Sequence, residues 1–194
     1  MQTAKELFVH ELTDMLDAEQ KLVEALGKMA EDHSEEPQLQ KGFQQHQAQT
    51  EKQVERLQQI FEQIGEEPEQ TECKGIKGLI EERDSFKEEG PADDILSIFD
   101  VGAAIKVESY EINAYNSLIE LAEQLSINKA VKLLNQNLKE EEQTRTKLEA
   151  MSRKLKPDNL GMEEEGEEMG EEEESRPARR SPASSKKGRS RTAA

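Results

Sequence analysis

Glu66-Glu67-Pro68-Glu69-Gln70-Thr71-Glu72-Cys73-Lys74-Gly75-Ile76-Lys77-Gly78-Leu79-Ile80-Glu81-Glu82-Arg83-Asp84-Ser85-Phe86-Lys87-Glu88-Glu89-Gly90-Pro91-Ala92 separates two stretches of helical pattern. It is far longer than a connection between neighbouring antiparallel helices needs, and Ile76 to Phe86 within it reads as a short helix of its own. On its N-terminal side, apolar residues recur at three and four in two segments. One, near Thr3 to Ala30, carries Phe8, Leu12, Met15, Leu22, Leu26 and Met29, with Thr3 and Glu6 spaced as a capping box. The other, near Glu36 to Ile64, carries Leu39, Phe43, Val54, Leu57, Ile60 and Ile64, with Pro37 in its first turn and Gly65 to stop it.

On its C-terminal side the same period runs near Asp93 to Leu125, through Ile98, Val101, Ala104, Ile105, Ile112, Tyr115, Leu118 and Ala122. It resumes near Lys129 to Leu155, through Val131, Leu134, Leu138, Leu148, Met151 and Leu155, and Pro157 ends it. Short links at Asp32 to Glu35 and Ser126 to Asn128 fold each pair into an antiparallel hairpin. Two hairpins joined by one long crossover predict an all-α, ferritin-like antiparallel four-helix bundle over residues 1–157, whereas cytokine bundles use two long crossovers.

Composition agrees with amphipathic helices: charged residues make up 36% and aromatics only 4%, too few for a sandwich or barrel core. The formal net charge of -17 argues against nucleic acid or an anionic membrane as a partner of the bundle, because phosphate binding needs a positive surface. The lone cysteine, Cys73, permits neither an internal disulfide nor a cysteine-based zinc cluster. No stretch approaches the ~20 apolar residues of a membrane span, and the first residues lack a leader pattern, so a cytoplasmic protein is expected. Residues 158–194 hold nine glutamates within Met162 to Glu174, then seven basic residues among Pro, Ser and Ala. A disordered acidic-then-basic tail is expected there, and only its basic half offers a place for nucleic acid.

The helical stripes break at mid-length. Leu12, Met15 and Leu22 are interrupted by Glu19; Phe43 and Leu57 enclose His46, Gln49 or Thr50, and Gln53. The third bundle helix offers Glu108 and Glu111, three apart and so on one face, and the fourth offers Glu140 and Glu141. A carboxylate in a core needs a partner, a proton or a metal. Taken singly, a glutamate on such a stripe is most often an edge residue reaching solvent, and a histidine like His46 more often a core residue bonded to a carboxylate. Together, a layer of oxygen ligands with one imidazole predicts two metal ions, iron or manganese. The Glu-x-x-His pair of ferritin-like sites is absent from the second and fourth helices. The two hairpins also align on each other, Glu19 on Glu111, Gln49 on Glu140 and Thr50 on Glu141, as a duplicated hairpin around a two-fold site would.

The strings Glu6-Leu7-Phe8-Val9-His10-Glu11-Leu12, Ala18-Glu19-Gln20-Lys21-Leu22, the His46 to Thr50 turn, Lys106-Val107-Glu108-Ser109-Tyr110-Glu111-Ile112 and Leu138 with Glu140-Glu141 make the chain resemble the bacterial YciE and YciF family over about residues 3 to 155. That resemblance implies a homodimerising ferritin-like bundle, a link to stress response and a two-metal centre. Its ligands would be Glu19, His46, Glu108, Glu111 and Glu140 or Glu141, with Glu111 or Glu19 bridging. Tyr115 is expected to donate to Glu111 or to fill core. Gln49 stands where that family usually has glutamate and Ser109 where histidine is common, departures that would weaken the site. The competing expectation is a non-catalytic dimeric stress scaffold whose polar layer fixes helix register. His10 and His33 receive no role.

Overall fold

A computed structural model describes residues 1–158; the expected tail, beyond its first residue, lies outside them. The described residues form five helices and no strand: α1 (Ala4–Asp32), α2 (Pro37–Ile64), α3 (Lys74–Glu88), α4 (Asp93–Gln124) and α5 (Asn128–Ser152). Four of these make the ferritin-like bundle, and α3 lies within the crossover.

Local chemistry sets the ends. The Thr3 hydroxyl accepts the Glu6 N–H at 3.1 Å while the Glu6 carboxylate accepts the Thr3 N–H at 3.0 Å, a reciprocal cap worth about 1 kcal/mol. Pro37 is the first residue of α2, and Gly65 closes it at φ 68 in the left-handed region. The short α3 extends beyond Ile76 to Phe86 at both ends, whereas α5 stops a turn before Leu155. Pro157 disfavours helical backbone at Lys156 and so pulls the end of α5 back.

The helices form a ring in which α1 packs on α2, α2 on α5, α5 on α4 and α4 on α1. On the outside of that ring α3 lies against α4 and α1. Its seat is tight: a Cβ on Gly75 would stand 2.6 Å from the Tyr110 ring, so only glycine allows the approach. Cys73 caps α3 with its N–H donated to Asp17 Oδ2 at 2.7 Å, and its buried thiol lies 3.3 Å from the Tyr110 hydroxyl. Both are packing roles.

The bundle interior holds two apolar clusters, and a third, of Ala18, Leu22, Cys73 and Ile76, seats α3. Phe8, Leu12, Met15, Leu57, Ile60, Leu118 and Leu134 fill one half of the bundle, and Leu26, Met29, Leu39, Phe43, Val101 and Leu148 fill the other. At about 1.5–3 kcal/mol per fully buried large side chain, the two clusters hold the helices together, and the polar residues between them cost stability. None of the described helices is long and apolar enough to cross a membrane.

Candidate metal centre

Between the two clusters lie Glu19 from α1, His46, Thr50 and Gln53 from α2, Glu108, Glu111 and Tyr115 from α4, and Asn137, Glu141 and Thr144 from α5, all buried. α1 delivers Glu19 alone, and α2, α4 and α5 each deliver three members at three- and four-residue steps, so one face of each of these helices turns into the layer. Ligand atoms of His46, Glu108 and Glu141 all lie within 4.8 Å of one another, and so do those of Glu19, Glu111 and Glu141. Glu141 is common to both triplets.

Hydrogen bonds satisfy only part of this layer. The Tyr115 hydroxyl donates to Glu19 Oε1, and Gln53 Nε2 donates to Glu141 Oε1. Asn137 Nδ2 donates to the Tyr115 oxygen at 2.9 Å, and Arg56 donates to Asn137 Oδ1 at 2.8 Å. His46 Nε2 lies 2.9 Å from Glu108 Oε1, an ion-pair distance without hydrogen-bond alignment. Glu19 Oε2, both Glu108 oxygens, Glu141 Oε2 and His46 Nδ1 find no hydrogen-bond partner among the described residues.

Burial, only partly offset by the Tyr115 hydrogen bond and reinforced by the Glu108 charge, pushes Glu19 up to about 8. Burial and the charges of Glu19, Glu141 and Glu108 raise Glu111 well above the usual carboxylate range. Glu141 is raised by burial and by Glu19 and Glu108. Carboxylates this close share protons or recruit cations, because they do not all ionise together at neutral pH.

Of the residues expected in the layer, the structure brings together Glu19, His46, Glu108, Glu111 and Glu141. It leaves out Glu140, which turns outward and accepts a bidentate pair from Arg56 at 2.7 and 3.0 Å. The reason is register: Leu134, Glu141 and Leu148 sit seven apart on the buried stripe, and residue 140 falls beside it. Thr50, not Gln49, is the buried member of that pair; Gln49 donates to Thr144 Oγ1 at 2.9 Å. Ser109 donates to the Ile105 carbonyl at 2.8 Å. Tyr115 serves Glu19, on the opposite hairpin, and not Glu111 on its own helix.

A second buried polar group was not legible in the sequence. His33, given no role there, is 3% exposed at the end of α1. Its Nε2 lies 2.9 Å from Asp100 Oδ2, and Arg83 of α3 donates to both Asp100 oxygens at 2.9 and 2.7 Å. Arg83 also reaches Asp32 at 2.7 Å. The available signal was Asp100 itself, a charge three and four residues from the α4 core positions Ser97 and Ala104.

A family model described as a domain of unknown function, DUF892, matches residues 3–160. The chain belongs to the DUF892 family. Protein YciF of Escherichia coli strain K12 is 38% identical over 149 residues, 76% of this chain and 89% of that protein. Among solved structures, this DUF892 chain is similar to the E. coli stress protein YciF, with TM-score 0.76 and 36% identity over 80% of this chain and 98% of the other. YcfI from Rhodopseudomonas palustris gives 0.73 and 39% over 77% and 94%. A Xanthomonas campestris protein, 17% identical with TM-score 0.64 over 79% and 93%, shares the DUF892 chain's fold alone.

Proposed function

We propose that the buried layer is a two-metal carboxylate–histidine centre for iron or manganese in a stress-associated, homodimeric ferritin-like protein. The observation that carries this reading is the set of unpartnered oxygens on Glu19, Glu108 and Glu141 at one depth. No lysine or arginine bonds any of the four layer carboxylates among the described residues. Bound cations would relieve the carboxylates that shared protons leave charged, and oxygen donors with one imidazole suit those metals. His46, Glu108 and Glu141 would hold one ion and Glu19, Glu111 and Glu141 the other, so the shared position belongs to Glu141. A bound pair would supply Lewis acidity and redox chemistry toward dioxygen or peroxide. The chain's own part is orientation: Tyr115 fixes Glu19, Gln53 fixes Glu141, and Asn137, braced by Arg56, fixes Tyr115. The name of the E. coli stress protein YciF supports the stress association.

Protein purified without added metal is expected to carry near-stoichiometric iron or manganese by elemental analysis, with loss of metal in both Glu19→Ala and Glu111→Ala. The second reading, a dimeric scaffold with a proton-sharing structural layer, is favoured by the hydrogen bonds that Tyr115 and Gln53 already donate. Metal-free protein that takes up neither ion on titration would establish it. Sedimentation equilibrium measures the dimer under either reading.

A further inference from the structure

A pocket of about 40 Å³ lies between α1, α3 and α4, walled by Leu22, Leu26, Leu79, Ile80, Ala104 and Val107. Lys28, Arg83 and Asp84 also belong to its lining, and Arg83 is already committed to Asp100 and Asp32. His46, from helix α2, also lines it, buried, with Nδ1 unpartnered among the described residues and Nε2 2.9 Å from Glu108. The pocket therefore shares His46 with the polar layer, and α3 supplies part of its wall.

Size and wall chemistry select the guest. The volume exceeds the ~10–15 Å³ that one water needs, but a buried water also needs two to four polar partners, which aliphatic walls do not provide. Apolar cavities of this kind stay dry and admit small apolar guests such as xenon. Hydrogen peroxide carries donors and acceptors that such walls would leave unpaired, at about 1–3 kcal/mol per group. Dioxygen carries no such groups and fits the space. We propose that this pocket is a dioxygen-binding antechamber to the polar layer, walled in part by α3 and by His46, so that the small molecule served by the centre is dioxygen and not peroxide. This rests on the two-metal reading of the layer.

The test uses the full chain without metal. Dissolved dioxygen is paramagnetic, and methyl relaxation measured by NMR under dioxygen reports where it resides. The methyls of Leu22 and Leu26 are expected to show several-fold greater enhancement than the buried methyls of Leu12, Leu57 and Ile60, and those of Leu79, Ile80 and Val107 several-fold greater enhancement than the comparably exposed control methyls of Val54, Leu121 and Val131. Ala104→Leu, which fills the pocket, is expected to remove the difference; Ala25→Leu, on the pocket wall at a half-buried position, does the same should the first variant fold poorly. Hydrogen peroxide is expected to leave the pocket methyl shifts unmoved. Enhancement equal to that of the control methyls, enhancement that survives both variants, or peroxide shifts confined to the pocket would each overturn the proposal. Because no metal is present, such a failure leaves the metal analysis untouched. A protein that takes up no iron or manganese while its pocket binds dioxygen would sink the two-metal reading alone.

Discussion

Glu19 and Asp100 are equally buried, each 0% exposed, in one bundle, and their proton affinities move in opposite directions. Burial raises both. At Asp100 that effect is overcome by hydrogen bonds from His33 and Arg83, which hold the carboxyl below its ordinary value. At Glu19 the tyrosine hydroxyl is a neutral donor, the neighbours are other carboxylates, and the group is left near 8. What separates a structural charge from a candidate ligand here is whether the fold supplies its own cation.

The largest expected effect comes from breaking the satisfied cluster. Arg83→Met leaves Asp100 charged and half paired, and urea unfolding should show a loss of about 3–5 kcal/mol. Adding metal tests the other side of the contrast: iron(II) or manganese(II) at one hundred times its Kd should raise stability by about 2.7 kcal/mol for each site filled. Glu141→Gln should abolish that gain, since the two triplets share that residue.

A smaller effect of opposite sign is expected inside the layer. In metal-free protein at pH 8, Glu111→Gln removes a carboxylate crowded by three others and should stabilise the fold by about 1–2 kcal/mol. The pH profile follows the same logic. Between the ordinary value of 4.5 and about 8 the folded Glu19 keeps a proton that the unfolded chain has released. Its contribution is thus complete below 4.5 and lost as pH rises through about 8, so the metal-free melting temperature should fall over that window, less steeply in Glu19→Gln. Asp100, depressed, contributes above 3.8 and loses that contribution only as pH falls through its lower folded value. The smallest change belongs to Glu140→Gln, a partly exposed pair with Arg56. It should cost under about 1 kcal/mol and leave the metal content unchanged.

Much of this was legible from residue spacing. Each hairpin shows in the three-and-four recurrence of Leu12, Met15 and Leu22, or of Val101, Ala104 and Ile105, and the crossover shows in its length. The breaks at Glu19, His46, Glu108 and Glu111 showed as charges on apolar stripes. The choice between Glu140 and Glu141 was harder, because adjacent positions differ by only 100° around a helix. Spacing from Leu134 and Leu148 was the better guide. His33 was missed because it lies at a helix end, where no period constrains which way a side chain faces, and its partners Arg83 and Asp100 are far away in the chain.

The sequence alone therefore determined the helices, their pairing and the presence of polar groups on inward faces, since these follow from local periodicity and connection length. Only the tertiary structure decided which buried carboxylates are neutralised and which are not. A desolvated charge is relieved by whatever lies within a few ångströms of it, and Arg83 meets Asp100 while no lysine or arginine among the described residues meets Glu108 or Glu111, because of where α3 docks across α1 and α4.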